Sequence, residues 1–276
     1  MVFRLDEIGY WSEIKLDIVR KYAVAYSKIM SKQSFIKGYY YVDAFAGAGI
    51  HISKRTNEFV LGSPLNALKV EPPFTGYHFI DLHNEKAELL RELTADCENV
   101  EVHPGDCNEI LLKEVFPSIR YDAYQRALCL LDPYGLHLDW EVVHTAGQSR
   151  AIEIFLNFPV MDMNMNVLLT NPDKLDSAQA ARMTAFWGDE SWREAAYIKS
   201  KGLFDTMEDK LSNDAVAKAY HQRLRKVAGF QYVPEPMPMR NTKGAIVYYL
   251  FFASPNKTAN KIVRDIFKTH GNWNLK

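Results

Sequence analysis

The chain has 276 residues, with 33 Lys and Arg residues against 34 Asp and Glu residues and a formal net charge of −1. This near-neutral balance excludes a globally basic nucleic-acid-binding protein, so any basic surface must be local. A hydrophobic content of 47% and a charged content of 24% are typical of a globular chain with a buried core. The length suits one large α/β domain with room for an insertion.

The cysteine and histidine patterns predict neither a disulfide nor a metal site. The cysteines are odd in number and lack metal-ligand spacing, which indicates reduced thiols in a cytoplasmic protein. They are Cys97, Cys107 and Cys129. Several histidines are scattered along the first half of the chain without ligand-like spacing. They are His51, His78, His103 and His137.

No apolar stretch reaches the roughly 18 residues of a membrane span. The N-terminus lacks the basic start and apolar centre of a signal peptide. We therefore expect a cytoplasmic protein without a membrane partner. The sequence does not determine the oligomeric state.

Apolar runs alternate with helical patterns over the first part of the chain. An amphipathic helix is predicted from Trp11 to Ser31 with Ser12 as its N-cap, and a later helix has Pro64 in its first turn. Residues 50–59 are predicted to form a loop. Five buried strands are predicted at residues 39–45, 77–81, 100–103, 126–131 and 151–156. This alternation predicts a Rossmann-like, mostly parallel sheet covered by helices on both faces.

The last part of the chain differs in pattern. Residues 161–228 lose the strand signal and predict a helical insertion that recognises a substrate or partner. Residues 230–233 and 246–253 predict an antiparallel pair at the edge of the sheet, followed by a final helix over residues 256–268. We therefore predict one α/β domain from residues 1–160 and 229–276, interrupted by the insertion.

The first strand runs into a turn of small residues that includes Asp43, Ala46, Gly47 and Gly49. Such a turn lets the backbone approach a nucleotide-like ligand, because ligands of open α/β sheets lie at the carboxyl ends of the strands. No Lys-Ser/Thr pair follows, which argues against a phosphate-binding P-loop. The remaining ligands are a dinucleotide or an S-adenosyl compound. The missing third glycine of G-x-G-x-x-G makes the dinucleotide the weaker alternative.

Acidic residues follow the next strands. Asp81 ends the second strand, in the position that hydrogen-bonds a ribose diol, and Asp106 follows the third. The fourth strand runs into Asp132-Pro133-Tyr134-Gly135. Each aspartate also has a simpler interpretation, since Asp is a common N-cap of the following helix.

The order of these features resembles the class I S-adenosylmethionine-dependent methyltransferases. The resemblance implies that Asp43, Ala46, Gly47 and Gly49 lie against the methionine part of S-adenosylmethionine. It also implies that the acid after the second strand holds the ribose hydroxyls and that the acid after the third binds the adenine amino group. These acids are Asp81 and Asp106. Carboxylates suit both roles because they accept hydrogen bonds from a diol or an amine.

The Asp132-Pro133-Tyr134-Gly135 segment resembles the motif of methyltransferases that act on exocyclic amino groups of bases, and more closely the Asp-Pro-aromatic-Gly form of tRNA guanine-N2 dimethyltransferases. The resemblance implies that Asp132 and the Pro133 carbonyl hold the amine of RNA or DNA while Tyr134 stacks on the base. The aromatic residue follows the first proline directly, unlike the common motif. Asp, Pro and Gly are also ordinary turn formers.

A base within a duplex must be flipped out, which requires a local basic surface. Candidate basic stretches are Lys54 with Arg55, residues 221–226 and residues 240–243, each of which is also typical of a solvated face. A second substrate-facing turn is predicted at Asn157-Phe158-Pro159, after the fifth strand.

Several segments together resemble one bacterial family. They are Trp11 and Lys15 before a long helix, residues 41–49, 62–64 and 79–81, Gly105-Asp106, and residues 131–135. This pattern resembles the three-Cys-motif partner family, TcmP, well over about the first 160 residues and loosely beyond. The family implies a radical-SAM-like partner protein that carries the three cysteines. The alternative to a methyltransferase is therefore an accessory, non-catalytic partner subunit that retains the fold.

Overall fold

A computed structural model of the chain describes residues 5–201 and 206–271. The strands are β1 (Glu7–Ile8), β2 (Gly38–Asp43), β3 (Ile50–Ser53), β4 (Phe59–Leu61), β5 (Gly76–Asp81), β6 (Val100–Pro104), β7 (Gln125–Leu131), β8 (Ile152–Phe158), β9 (Tyr197–Lys201), β10 (Thr206–Lys210), β11 (Met237–Arg240) and β12 (Ile246–Ala253).

The helices are α1 (Tyr10–Met30), α2 (Ser63–Leu68), α3 (Asn84–Leu93), α4 (Cys107–Ile110), α5 (Phe116–Ser118), α6 (Trp140–Ser149), α7 (Val160–Asn166), α8 (Ser177–Trp187), α9 (Trp192–Ala196), α10 (Asn213–Lys226) and α11 (Lys257–Gly271). A π-helical turn (Leu111–Val115) joins α4 to α5, and a 3-10 turn (Pro172–Lys174) precedes α8. No helix of the described residues is both long and apolar enough to cross a membrane.

Seven strands form the central sheet in the order β11-β12-β8-β7-β2-β5-β6. The five strands from β8 to β6 are parallel, whereas β12 is antiparallel to both β8 and β11. The prediction of a Rossmann-like, mostly parallel sheet with an antiparallel edge pair is therefore confirmed. From β2 the chain builds outward to β5 and β6 and then returns to β7 on the other side. This reversal creates a topological switch point between β2 and β7, where a ligand crevice is expected.

Each face of the sheet has its own hydrophobic core, because successive strand side chains point to opposite faces. In β2, Val42 packs into the core under the π-helical turn and helices α6 to α10, whereas Tyr41 packs into the core under α1, α2, α3 and α11. Both side chains are almost fully buried. The central strand is thus covered on both sides and buried through Asp43 at its carboxyl end, so a ligand can lie only over the turn that follows it.

Four local predictions are wrong or incomplete. The predicted loop 50–59 contains β3 and β4, which form a small sheet with β1. Helix α1 begins one residue early, with Gly9 rather than Ser12 as its N-cap. The predicted strand 230–233 contributes a single bridge, between Tyr232 and Ser254. The edge strand is instead β11, in which buried Met residues flank Pro238, a residue tolerated in an edge strand.

The region predicted as a helical insertion is mainly helical, from α7 to α10, but it also contains the antiparallel hairpin β9–β10. Residues 202–205, which connect these strands, lie outside the described residues. Tyr220 of this region lies with its ring centroid 4.8 Å from that of Phe158 in β8. The helices therefore share a core with the sheet, and the division into domain and insertion stays a prediction.

Candidate functional site

A cleft of about 380 Å³ opens at the carboxyl ends of the parallel strands. Its walls include Gly47 from the turn after β2, Asp132 and Tyr134 from the turn after β7, and Asn157 near the end of β8. Lys15 of α1 also lines this cleft. The structure thus brings the predicted catalytic segment beside the predicted cofactor turn. A larger groove of about 900 Å³ between α6 and α8 contains none of the predicted site residues.

A second hollow of about 310 Å³ adjoins this cleft at Phe45, which lines both. Asp106 contributes a carboxylate to the second hollow, and Leu82 and Leu136 contribute apolar side chains. Both hollows are lined in part by the turn after β2, the cleft by Ala46 and Gly47 and the second hollow by Ala44. The arrangement suits an elongated ligand with an apolar aromatic end and a polar end.

The turn after β2 depends on backbone conformations that favour glycine. Gly47 and Gly49 have φ angles of +62° and +78°, in the left-handed region. A Cβ at Gly49 would lie 2.8 Å from Cδ1 of Leu90 in α3, so this glycine permits close helix packing. A Cβ at Gly47 would meet only Cε1 of His51, at 3.9 Å, so this position faces open space. Ala46 is buried between them and β2.

Asp43 lies at the end of β2 and is fully buried. Burial raises the pKa of this carboxyl to about 7, against the opposing effect of hydrogen bonds from the Ser63 side chain and the Phe45 N–H. The Phe45 N–H donates to Oδ1 over 3.3 Å. Asp43 therefore accepts a hydrogen bond from the backbone of the turn while its own side chain stays in the core.

Asp81 joins two strand-end turns. Its Oδ2 accepts a hydrogen bond from the Gly47 N–H at 2.8 Å, and its Oδ1 accepts one from the His83 N–H at 2.9 Å. The side chain is buried beneath the turn and is absent from the walls of both hollows. Its contacts are thus those of a structural carboxylate, and its ribose-binding role stays a prediction.

Asp106 has a dual position. Its Oδ1 caps α4 by accepting hydrogen bonds from the Asn108 N–H at 2.7 Å and the Glu109 N–H at 3.3 Å. Asp106 is therefore the N-cap of α4, as the simpler interpretation of this aspartate predicts. The residue is also exposed and lines the second hollow, which leaves its adenine-binding role as a prediction.

Asp132 is held by a cation from the first helix. The Lys15 ammonium donates a hydrogen bond to Oδ2 of Asp132, and the two side chains are 9% and 25% exposed. After Asp132, Pro133 is buried, whereas Tyr134 is 70% exposed. The turn therefore presents a paired carboxylate inside the cleft and an aromatic ring at its mouth.

Three buried polar atoms on the cleft wall have no hydrogen-bond partner among the described residues. They are Nδ1 of His51, Oδ1 of Asn157 and Oδ2 of Asp162. Burial lowers the pKa of His51, which keeps its imidazole neutral. An unpaired buried polar atom costs about 1–3 kcal/mol, so a hydrogen bond from a ligand would be most favourable at these atoms.

Two of these residues, His51 and Asp162, were missed as site residues by the sequence analysis. Asn157 carried a signal, since it follows a predicted strand, although the structure places it within β8 rather than in the predicted turn. Asp162 also explains Gly135, which has a φ of +60°. A Cβ at Gly135 would lie only 2.9 Å from Oδ2 of Asp162, so the turn after β7 requires glycine at this position.

The three basic stretches differ in position. Lys54 lines the cleft, and its neighbour Arg55 is exposed beside it. In the stretch 221–226, His221 is buried, and Arg223 is 11% exposed and pairs with Asp189 at 2.7 Å. Arg240 donates to the Gly244 carbonyl at 2.8 Å. The second stretch is thus largely structural, and the first is the one beside the cleft.

Comparison with solved structures indicates a fold shared with known proteins. Protein LPL1258 from Legionella pneumophila, of the family DUF519, aligns with a TM-score of 0.57 at 12% identity, over 95% of this chain and 91% of that chain. At this identity the likeness shows the fold alone. The CurJ carbon methyltransferase aligns with a TM-score of 0.42 at 12% identity, over 86% of this chain and 54% of that chain.

The methyltransferase domain of bacterial CtHen1 aligns with a TM-score of 0.38 at 10% identity, over 86% of this chain and 99% of that chain. No protein-family model matches the chain. No curated protein matches its sequence either.

Proposed function

We propose that the protein is an S-adenosylmethionine-dependent methyltransferase that modifies an exocyclic amino group on RNA or DNA. The observation that carries the proposal is the meeting of Gly47, Asp132 and Asn157 in one cleft, with a second hollow beside it. An S-adenosyl ligand combines an aromatic base, a ribose and a charged amino acid, which matches the elongated form and mixed polarity of the two hollows.

The side chains that line the two hollows have the chemical character that this cofactor requires. Phe45 and Leu82 offer apolar surface to an adenine ring, and Asp106 offers an acceptor for its amino group. Gly47 leaves open space over the turn, toward the cleft in which the methionine part would lie. When bound, the cofactor supplies an electrophilic methyl group on a sulfonium.

The substrate proposal rests on two acceptors at neighbouring strand ends. Strands β7 and β8 are parallel, with Leu131 opposite Leu156, so Asp132 and Asn157 occupy adjacent positions one residue further along. Lys15 occupies Oδ2 of Asp132, which leaves Oδ1 for a substrate. Together with the unpaired Oδ1 of Asn157, this oxygen can accept both hydrogens of an amino group.

These acceptors would promote attack by a weak nucleophile. The lone pair of an exocyclic amine is delocalised into its ring, and hydrogen bonds from both N–H groups orient the nitrogen toward the methyl donor. The nitrogen then loses one proton. The neutral, unpaired Nδ1 of His51 in the same cleft is an acceptor for it. Tyr134 offers its exposed ring for stacking on the base.

One observation favours a second candidate function. Because Lys15 already neutralises Asp132, the carboxylate has the contacts expected of a structural ion pair. An accessory subunit of the TcmP type, acting beside a radical-SAM-like partner protein, would retain the fold and this pair without transferring methyl groups. Such a subunit would tolerate the loss of Asp132.

The test is transfer of labelled methyl groups from S-adenosylmethionine to pools of total RNA and total DNA. The wild-type protein is expected to label one pool, and Asp132→Ala to label it at least 100-fold less at unchanged affinity for the cofactor. Asp122→Ala, which changes an exposed surface aspartate, is the matched control. Equal labelling by wild type and Asp132→Ala, or no labelling of either pool with or without the partner, would overturn the enzymatic proposal.

A further inference from the structure

Two histidines and a glutamate converge on the edge of the central sheet, outside the cleft. His78 lies in β5, and Glu101 and His103 lie two residues apart in the edge strand β6. In the parallel register of these strands His78 is opposite Glu101, and residues i and i+2 of a strand share a face. The pairing of the strands therefore brings together side chains that are 23 and 25 positions apart in the sequence.

The three side chains form a nearly equilateral triangle of ligand atoms. Nδ1 of His78 lies 3.3 Å from Nε2 of His103 and 3.5 Å from Oε2 of Glu101. The remaining side, between Nε2 of His103 and Oε2 of Glu101, is 3.6 Å. All three atoms thus lie around one small space, where a bound metal would take a lone pair from each.

These distances fit the ligand shell of a tetrahedral divalent metal. Zinc binds His nitrogen at about 2.0–2.1 Å and Glu oxygen at about 2.0–2.2 Å, so neighbouring ligands of a tetrahedron lie about 3.3–3.5 Å apart. The corresponding separation in an octahedral site is about 2.8–3.0 Å at the same bond lengths. The observed triangle matches the tetrahedral case, and the imidazole and carboxylate donors are those that zinc accepts.

The surroundings of His103 also match a metal ligand. Its second ring nitrogen, Nδ1, lies 3.8 Å from Oε2 of Glu114 in the π-helical turn. Histidines that bind metals commonly donate their other N–H to a carboxylate, which fixes the ring and its tautomer. Nε2 is then left to face the triangle. Tyr40 of β2 flanks the other histidine, with its ring centroid 6.0 Å from that of His78.

We propose that His78, Glu101 and His103 bind a divalent transition metal of the zinc type. The metal joins edge strand β6 to β5, and a water molecule completes the tetrahedron on the solvent side, where the Glu101 side chain is 67% exposed. On metal binding, Glu114 closes from 3.8 Å to hydrogen-bond distance of Nδ1 of His103 and orients the ring. This proposal departs from the sequence expectation of no metal site, because the strand register brings together histidines that have no ligand-like spacing in the sequence.

The experiment is a calorimetric titration of the full chain, free of any polyhistidine tag and stripped with EDTA, with Zn²⁺. One equivalent is expected to bind, and Co²⁺ in its place should give the intense visible absorption of a tetrahedral site. His103→Gln and Glu101→Gln are each expected to weaken Zn²⁺ binding about 100-fold, and Glu114→Gln about tenfold. The exposed position of Glu101 makes its variant informative even if His103→Gln fails to fold.

Matched controls use the same substitutions outside the triangle. His144→Gln in α6 and Glu109→Gln, whose side chain is 68% exposed, should bind Zn²⁺ like the wild type. If wild type shows no saturable binding, or if Glu101→Gln and folded His103→Gln bind as tightly as the controls, the three side chains are a hydrogen-bonded cluster and the proposal is overturned. A cobalt spectrum of octahedral type would overturn the tetrahedral assignment.

Discussion

The ammonium group of Lys15 in the first long helix donates a hydrogen bond to Oδ2 of Asp132, 117 positions away at the end of β7. This ion pair links the helix that covers the cleft to the turn that carries the proposed amine acceptor. Both side chains are mostly buried, at 9% and 25% exposure. Replacing only one residue of such a pair is expected to destabilise the fold, because the remaining charged side chain stays mostly buried without a partner.

Lys15→Met should therefore destabilise the protein by about 1–3 kcal/mol, since it leaves the Asp132 carboxylate without a counter-ion. Adding Asp132→Asn to Lys15→Met should recover most of that loss, because the double variant has no unpaired charge at this position. Urea unfolding of the wild type, both single variants and the double variant gives the coupling free energy. A coupling near zero would show that the two side chains do not interact in solution.

Asn157→Ala should lower the methyl-transfer rate about 10–100-fold, because it removes the second acceptor of the proposed amine. Affinity for S-adenosylmethionine should stay within about twofold, since Asn157 is assigned to the substrate. Asn260→Ala in helix α11 is the control and should behave as the wild type. A weakened cofactor affinity at an unchanged rate would place Asn157 on the cofactor instead.

Gly135→Ala should destabilise the protein more than the same substitution at another left-handed glycine. Both Gly135 and Gly244 have positive φ angles, +60° and +80°. Gly244→Ala meets nothing within 4 Å and should cost only the backbone strain, about 1–2 kcal/mol. Gly135→Ala adds a contact of 2.9 Å with Asp162 and should cost about 1–3 kcal/mol more by urea unfolding. Equal losses would mean that Asp162 moves away freely.

Glu153 should make the protein less stable as the pH rises. Burial raises the pKa of this carboxyl from 4.5 to about 7, although the Tyr22 hydroxyl donates a hydrogen bond to it. Between these pH values the folded state holds more protons than the unfolded chain, so the free energy of unfolding falls as the pH increases. Glu153→Gln removes this dependence and should gain about 2–3 kcal/mol relative to the wild type between about pH 5 and about pH 8.

The control for this comparison is Glu88→Gln, because the Glu88 side chain is 61% exposed. Its unfolding free energy should follow that of the wild type at every pH. If Glu153→Gln also follows the wild type, the Glu153 carboxyl titrates in the folded protein as it does in the unfolded chain.

The parallel core of the sheet could be predicted because its strands are apolar runs that end in polar residues. Asp132 and Asn157 were found in this way, since carboxyl ends of parallel strands meet at one edge. The edge strand β11 was missed because Pro238 and its Met neighbours lack the usual strand composition. The local sequence pattern therefore predicts whether a segment is a strand or a helix better than it predicts which segment forms the edge strand of the sheet.

Contacts between distant segments could not be predicted in this way. The pairing of Lys15 with Asp132 depends on how a helix crosses the sheet, and the meeting of His78 with His103 depends on the register of two strands. Neither leaves a spacing signal in the sequence. For the same reason, the sequence could not show that Asp81 would use both oxygens on backbone N–H groups.

The methyltransferase proposal requires that the cleft and the hollow joined at Phe45 together hold one S-adenosyl ligand. The decisive experiment is a crystal structure of the protein grown with S-adenosylhomocysteine. We expect a single ligand over the turn after β2, with its adenine beside Asp106 and its sulfur on the side of Asp132. A ligand bound elsewhere, or both hollows filled only by solvent at saturating S-adenosylhomocysteine, would contradict it.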